Sequence, residues 1–336
     1  MTENDLGAVS KHAKNLGILR TIDEHNKTAA FAVELRSLRS KMIPRKLKWG
    51  QMNIRFRSQL LSVVLAVAEP FAFPQDQPAP PTEKVAVVFS QDIHYFEAGQ
   101  GSAVILLHGL GGGKEAWMGS FGALAAQYHV YAIDQIGFGH SDKPLLDYKI
   151  ATFADFLQGF MQAQNISKAT LVGNSLGGWI ALDFAVHHPG MVEKLVLVDS
   201  AGLPWTQAFP ADLNPSSVAG MRAMLESVFY DKKILTDDVV LQVFTNHVRS
   251  GEAYTIQRTM AGWAVPQFED AKLASIRAPT LVVWGRQDVL IPLVSGEKLR
   301  DGIPGATLVL IEECGHAPEI EKPVEFNRAL LEFLGR

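Results

Sequence analysis

The sequence predicts an α/β protein: a mostly parallel eight-stranded sheet flanked by helices, with a helical cap inserted between two of its strands. Three observations carry this. Short, continuously apolar runs alternate with helical segments along most of the chain. One such run leads directly into Gly173-Asn174-Ser175-Leu176-Gly177, a G-x-S-x-G turn followed by a helix. A single long stretch, 203–268, interrupts the alternation without a convincing strand. Strands that are apolar without a break must be covered on both faces, which is the pattern of a parallel sheet between helical layers.

The elements follow in order. Strands are expected at 84–90, 92–97, 103–108, 128–134, 169–173, 194–199, 279–285 and 306–311, and helices near 115–126, 152–165, 176–188, 293–301 and 323–334. The core therefore comprises 84–202 and 269–336, and 203–268 is the cap. Within the cap, Leu203, Trp205, Phe209, Met221, Met224, Phe229 and Trp263 are candidates for a pocket lining, though more than half of them are expected in the cap's own core. Arg249 and Arg258 are candidates to meet a substrate carboxylate, against the plainer reading of a solvated helix face.

Composition bounds the function. The 336 residues are 47% hydrophobic and 20% charged, enough for one large globular domain and an accessory element. A net charge of -4 gives no nucleic-acid footprint. The one cysteine, Cys314, excludes an internal disulfide and a thiolate metal cluster, and reads as a small packing residue. No metal or cofactor is expected.

The N-terminal part is different in kind. Residues 1–51 carry ten Lys or Arg against five Asp or Glu, whereas the remainder carries 21 against 30. They form an extension without fold landmarks. Residues 52–83 resemble a signal peptide and linker: a basic start after Met52, an apolar run from Leu60 to Ala68 and a Pro-rich segment. The apolar run is short of the roughly 20 residues needed to span a bilayer. Export to a periplasmic or extracellular location is the expectation, with a cytoplasmic location as the alternative and no stable membrane span in either case.

Chemistry concentrates in three places. Ser175 occupies a strained strand-to-helix turn, and an alkyl hydroxyl there needs a base and the base an orienting acid. Asp288 follows the strand 279–285, and His316 follows the strand 306–311, which gives the order Ser, Asp, His. Loops after neighbouring parallel strands open on the same edge of the sheet. Asp199, at the end of strand 194–199, is a competing acid; Asp288 is preferred because its strand directly precedes that of His316. Upstream, His108-Gly109-Leu110-Gly111-Gly112-Gly113 follows an apolar strand. Its glycines let backbone N–H groups point into a site, and the amides of Leu110 and Leu176 are the expected oxyanion hole. His108 is expected to brace this loop.

These landmarks resemble the α/β-hydrolases: HGLGG, DQIGFGHSDKP at 134–144, GNSLGGW, LVLVDSAG at 195–202, WGRQD and CGHAPEIEKP at 314–323. The likeness covers roughly 84–336 and is similar to small bacterial esterases and to meta-cleavage product hydrolases, which break C–C bonds. It implies an α/β-hydrolase fold and a serine hydrolase with no cofactor. Ser175 stands where haloalkane dehalogenases and epoxide hydrolases carry an Asp nucleophile. The C–C hydrolases usually carry Trp after the catalytic His, and this chain has Ala317. That departure favours a carboxylesterase acting on a small-molecule ester through an acyl-enzyme on Ser175. The alternatives are a C–C hydrolase of the meta-cleavage type and a non-catalytic ligand receptor on the same fold.

Overall fold

The computed structural model describes residues 81–204, 209–263 and 270–336. The expectations for 1–51, for the signal-like segment from Met52 to Ala68 and for Trp205 lie outside these residues. No helix among the described residues is long and apolar enough to cross a membrane.

Eight strands form one sheet: β1 (Thr82–Val88), β2 (Gln91–Ala98), β3 (Ala103–Leu107), β4 (His129–Ile133), β5 (Ala169–Asn174), β6 (Val192–Val198), β7 (Thr280–Gly285) and β8 (Thr307–Ile311). Their spatial order is β1-β2-β4-β3-β5-β6-β7-β8. Only β1 with β2 and β2 with β4 pair antiparallel; all other neighbours are parallel. Among the described residues, eight helices run for eight residues or more: α1 (Met118–Ala125), α2 (Ile150–Ala163), α3 (Leu176–His187), α4 (Val218–Val228), α5 (Asp237–Ser250), α6 (Ala253–Gly262), α7 (Leu293–Gly302) and α8 (Pro323–Leu334).

Alternation along the strands divides the core between the two faces, because successive side chains of a strand point to opposite sides. Ile105, Leu107, Leu195, Leu197 and Val282 pack with Phe160 of α2, Trp179 of α3 and Leu299 of α7. Val104, Leu106, Val196, Val198 and Val283 pack with Phe121 of α1 and Phe326 of α8, beside Trp117. Both sides of each central strand are thus dry, which is why these segments read as unbroken apolar runs. Helix α3 lies at the centre and buries nine of its residues, leaving only a narrow polar edge where Asp183 pairs with His187 one turn on.

The first strand differs from its expected bounds. It begins at Thr82 and stops at Val88, because Phe89 and Ser90 both take positive φ, 50° and 60°, and make a two-residue turn. The register Val88 with Gln91 closes the hairpin. Turns of this geometry usually announce themselves with Asn or Gly, and neither is present here.

Between β6 and β7, the described residues form α4, α5 and α6 and no strand. Met221, Met224 and Phe229 belong to a cluster within this insertion. Leu203, Phe209 and Trp263 instead pack with the main core, with Trp263 6.2 Å from Trp179 and 5.5 Å from Phe209 between ring centroids. Of the six described candidates, three thus form the insertion's own cluster and three join the main core, so the expected majority in the cap's own core is not found, and Trp263 ties the insertion to Trp179 of α3.

Candidate active site

The G-x-S-x-G turn joins β5 to α3. Ser175 has φ 53° and ψ −114°, a backbone conformation that L-residues avoid. The surrounding sheet holds it there. The Ser175 amide donates to Val198 O (2.9 Å), and Ser175 O accepts from the amides of Ala201 (3.0 Å) and Trp179 (3.1 Å). The flanking glycines are a steric necessity. A Cβ on Gly173 would lie 2.2 Å from Gly177 O, and one on Gly177 would lie 2.1 Å from Leu107 O. Both collisions are with backbone, which cannot swing aside. Gly177→Ala is expected to cost about 3 kcal/mol and lower the thermal midpoint by about 10 °C, measured by calorimetry.

His316 is fixed from three directions. Its Nδ1 lies 2.7 Å from Asp288 Oδ2. Its amide donates to Val228 O at 2.7 Å, and its carbonyl accepts from Asn174 Nδ2 at 2.9 Å. Asp288 is fixed in turn, its Oδ1 accepting from the amides of Leu290 (2.8 Å) and Ile291 (3.1 Å). Burial works against a charged His316, but the neighbouring Asp288 carboxylate outweighs it and raises the imidazole above its ordinary pKa. The expected Asp288–His316 pair is therefore formed, and Ser175 sits beside it on the residue after Asn174. Ser175 Oγ makes no hydrogen bond to His316 among the described residues; such contacts commonly tighten only around substrate.

The loop after β3 closes against the turn. A Cβ on Gly109 would meet Asn174 Oδ1 at 2.9 Å and Ser175 Cβ at 3.3 Å, so the loop backbone lies directly on the serine turn. The amides of Leu110 and Leu176 make no hydrogen bond among the described residues, and Leu176 is the first residue of α3, where a helix leaves its N–H groups unpaired. His108 braces the loop as expected. Its Nδ1–H donates to Gly109 O (2.7 Å) and its Nε2 accepts from the Gln135 amide (3.1 Å). Burial holds it below its usual pKa, in the neutral form this pairing requires.

A second brace was not legible beforehand. Lys114 is fully buried and binds Asp134 Oδ2 at 2.8 Å, while Asp134 also accepts from the amides of Lys114 (2.7 Å) and His140 (2.8 Å). The loops after β3 and β4 are thus pinned to one carboxylate. Glu83, His94 and His140 nearby bring three potential ligand atoms within 4.8 Å. Lys114 Nζ lies 3.1 Å from Glu83 Oε1 and 3.2 Å from His140 Nδ1, so an ammonium already neutralises that corner and the set suits a metal poorly.

Cys314 is buried in the core, and burial first, then nearby carboxylates, push its thiol well up. It is a packing residue and no nucleophile. Glu319, three residues after His316, is a residue that sequence reasoning missed. It is 2% exposed, its Oε2 lacks a hydrogen-bond partner, and burial raises it to about 7. A folded-state pKa above the unfolded one means the native state holds the extra proton, so stability falls as pH rises from about 4.5 to about 7. Glu319→Gln should therefore raise stability by roughly 2–3 kcal/mol at pH 8 and by little at pH 5, measured by urea unfolding.

A cleft of about 720 Å³ lies between Leu110–Gly113, the loop at Gly139–Lys143 and the insertion, with Met221, Met224, Val243 and Ile256 on its apolar side. Lys143 and Arg249 supply cationic groups to it, and Glu252 an acidic one. Glu252 Oε1 accepts from the Gly139 amide at 2.8 Å, tying the insertion to the core. Arg258 is instead paired with Asp147 and takes no part in the cleft lining.

A family model described as "Alpha/beta hydrolase family" matches residues 104–329. The 2-hydroxy-6-oxo-6-phenylhexa-2,4-dienoate hydrolase of Comamonas testosteroni is 33% identical over 279 residues, covering 75% of this chain and 96% of that protein. Among solved structures, the meta-cleavage product hydrolase from Pseudomonas fluorescens IP01 is similar with a TM-score of 0.69 and 29% identity, over 75% of this chain and 97% of that one. A membrane phospholipase A described as a bacterial virulence factor is similar with a TM-score of 0.65 and 26% identity, over 91% of this chain and 97% of that one.

Proposed function

Because this chain belongs to the alpha/beta hydrolase family, we propose that it is a serine hydrolase that opens a C–C bond in 2-hydroxy-6-oxo-dienoates. The observation that carries the reading is the 33% identity to a dienoate hydrolase over nearly that protein's whole length. The site geometry supports it. Ser175 Oγ attacks the 6-oxo carbon while His316 takes its proton, and Asp288 holds His316 in the right tautomer. The Leu110 and Leu176 amides receive the oxyanion. Before the attack the dienol shifts its 2-hydroxyl proton to C5, which makes C2 a ketone and C5 saturated. When the tetrahedral adduct then collapses, the C5–C6 bond breaks and its electron pair passes through C4 and C3 to the C2 oxygen. The proton held on His316 goes to the dienolate so formed. Water then releases the C6 acid from Ser175. The cleft shares Leu110 with the oxyanion loop but is not lined by Ser175 or His316. Arg249 on its wall is the cation offered to the dienoate carboxylate, since Lys143 Nζ already donates to Gly139 O (2.6 Å) and Ser141 O (3.0 Å).

A second reading is ester hydrolysis by the same residues. Ala317 favours it on sequence, because the C–C hydrolases usually carry Trp there, and so does the phospholipase likeness over 91% of this chain. The identity to dienoate hydrolases outweighs both. Initial rates on 2-hydroxy-6-oxo-6-phenylhexa-2,4-dienoate, set beside p-nitrophenyl acetate, butyrate, octanoate and palmitate, decide the matter. A higher kcat/KM on the dienoate supports C–C cleavage, and a higher value on any ester replaces it with the second reading. Slow turnover of all five with tight binding would point to ligand reception.

A further inference from the structure

Asp199 follows β6 directly and has no solvent exposure. Its φ of 41° is in the left-handed region, a strained setting for a residue with a side chain. The backbone holds it there: its amide donates to Val283 O (3.0 Å), and its Oδ1 accepts from the Gly285 amide (3.0 Å). Its Oδ2 is buried without a donor. One atom each of the Asp199 carboxyl, the Asp288 carboxyl and the His316 ring lie within 4.8 Å of one another. Two carboxyl groups this close and this dry cannot both be ionised.

Donor counting decides which one holds the charge. Asp288 receives the Leu290 and Ile291 amides and the His316 Nδ1–H. Asp199 receives one amide alone. The negative charge therefore belongs to Asp288 and the proton to Asp199. We propose that Asp199 is a positioning residue which, as a neutral acid, donates its O–H to Asp288 and so fixes the acid that orients His316. The inference rests on the Ser175–His316–Asp288 reading above. The other titratable groups facing the pair are Glu319 and Cys314, both on the segment after β8. Burial raises Glu319 to about 7 and keeps the Cys314 thiol protonated, so neither supplies a cation that would let Asp199 ionise. Burial and then the Asp288 charge hold the Asp199 carboxyl well above the usual range, in keeping with the donor count.

The test needs no substrate, so it stands or fails separately from the choice between dienoate and ester. The full-length protein, Asp199→Asn and Asp199→Ala are titrated by NMR of the histidine rings, with His316 assigned by mutation. An Asn amide can donate to Asp288 and accept from Gly285, so Asp199→Asn should keep the wild-type His316 midpoint. Asp199→Ala removes the donor and concentrates charge on Asp288, so the midpoint should rise by about one unit, the worth of a hydrogen bond to a charged group. Infrared difference spectra at neutral pH should show a protonated-carboxyl stretch that Asp199→Asn removes. A His316 midpoint lowered by about a unit or more in Asp199→Asn would mean that Asp199 had been ionised, and would overturn the proposal, as would the absence of a lost carboxyl band. If Asp199→Ala fails to fold, the Asn titration and the infrared band still decide.

Discussion

Replacing Ser175 with alanine should lower kcat by about 10⁶ while leaving the folded state intact. The size follows from the covalent route: without Oγ there is no nucleophile, and water in the same pocket has neither its position nor its activated proton. What survives is the contribution of substrate binding and the oxyanion amides, roughly 10³–10⁴ over the reaction in water. The fold should survive because the strain at Ser175 is in its backbone, at φ 53°, and is held by hydrogen bonds from Trp179 and Ala201 and to Val198. None of these uses the side chain. Alanine also fits the space, since the hydroxyl makes no hydrogen bond among the described residues. Turnover of the favoured substrate and the thermal midpoint are read together. Retained turnover in a folded variant would remove Ser175 from the mechanism, and an unfolded variant would show that the side chain holds the turn.

The strands and the order of the site were legible for one reason: parallel strands covered on both faces must be apolar throughout, so their ends are sharp. Ala169–Val172 into Ser175 and Thr280–Trp284 into Asp288 are cases of this. The β1 boundary was not legible, because Phe89 and Ser90 adopt positive φ without the residues that usually mark such a turn. Asp199 was visible as a rival acid but not as a neighbour of Asp288. Its strand β6 lies beside β7, which brings the two loops together, yet the direction of its side chain depends on a φ of 41° that no local pattern announces. Asn174 belonged to the motif, but its bond to His316 O spans 142 positions in sequence and depends on β5 and β8 ending at one sheet edge. Glu319 was hidden because nothing in Ala317–Lys322, which carries Glu319, Glu321 and Lys322, marks one of its charged residues for burial, whereas packing leaves Glu319 2% exposed.

Asp288→Asn should lower kcat by about 10⁴, and the hydrogen bonds around Asp288 say why. The Leu290 and Ile291 amides point at Oδ1, so they demand an acceptor and will hold the Asn carbonyl oxygen in that place. The Asn NH₂ then occupies the place of Oδ2, 2.7 Å from His316 Nδ1. An NH₂ there donates to Nδ1 and drives the imidazole proton to Nε2, the nitrogen that must accept from Ser175. The base is present but in the wrong tautomer. The pH profile should move as well. In the wild type, kcat/KM should fall on the acid side with a midpoint above the ~6.5 of a free imidazole, because the Asp288 charge outweighs the burial of His316. In Asp288→Asn the charge is gone and the burial remains, so the residual activity should lose its acid limb at a midpoint below ~6.5. Stability carries the same sign. A raised folded-state pKa makes the His316–Asp288 pair stabilise fully below about 6.5, and that contribution fades as pH rises through the folded value. The variant should therefore lose more stability at pH 6 than at pH 9, by urea unfolding. A drop in kcat with the acid limb unmoved would mean that Asp288 acts on the loop alone and that another carboxyl sets the charge state of His316.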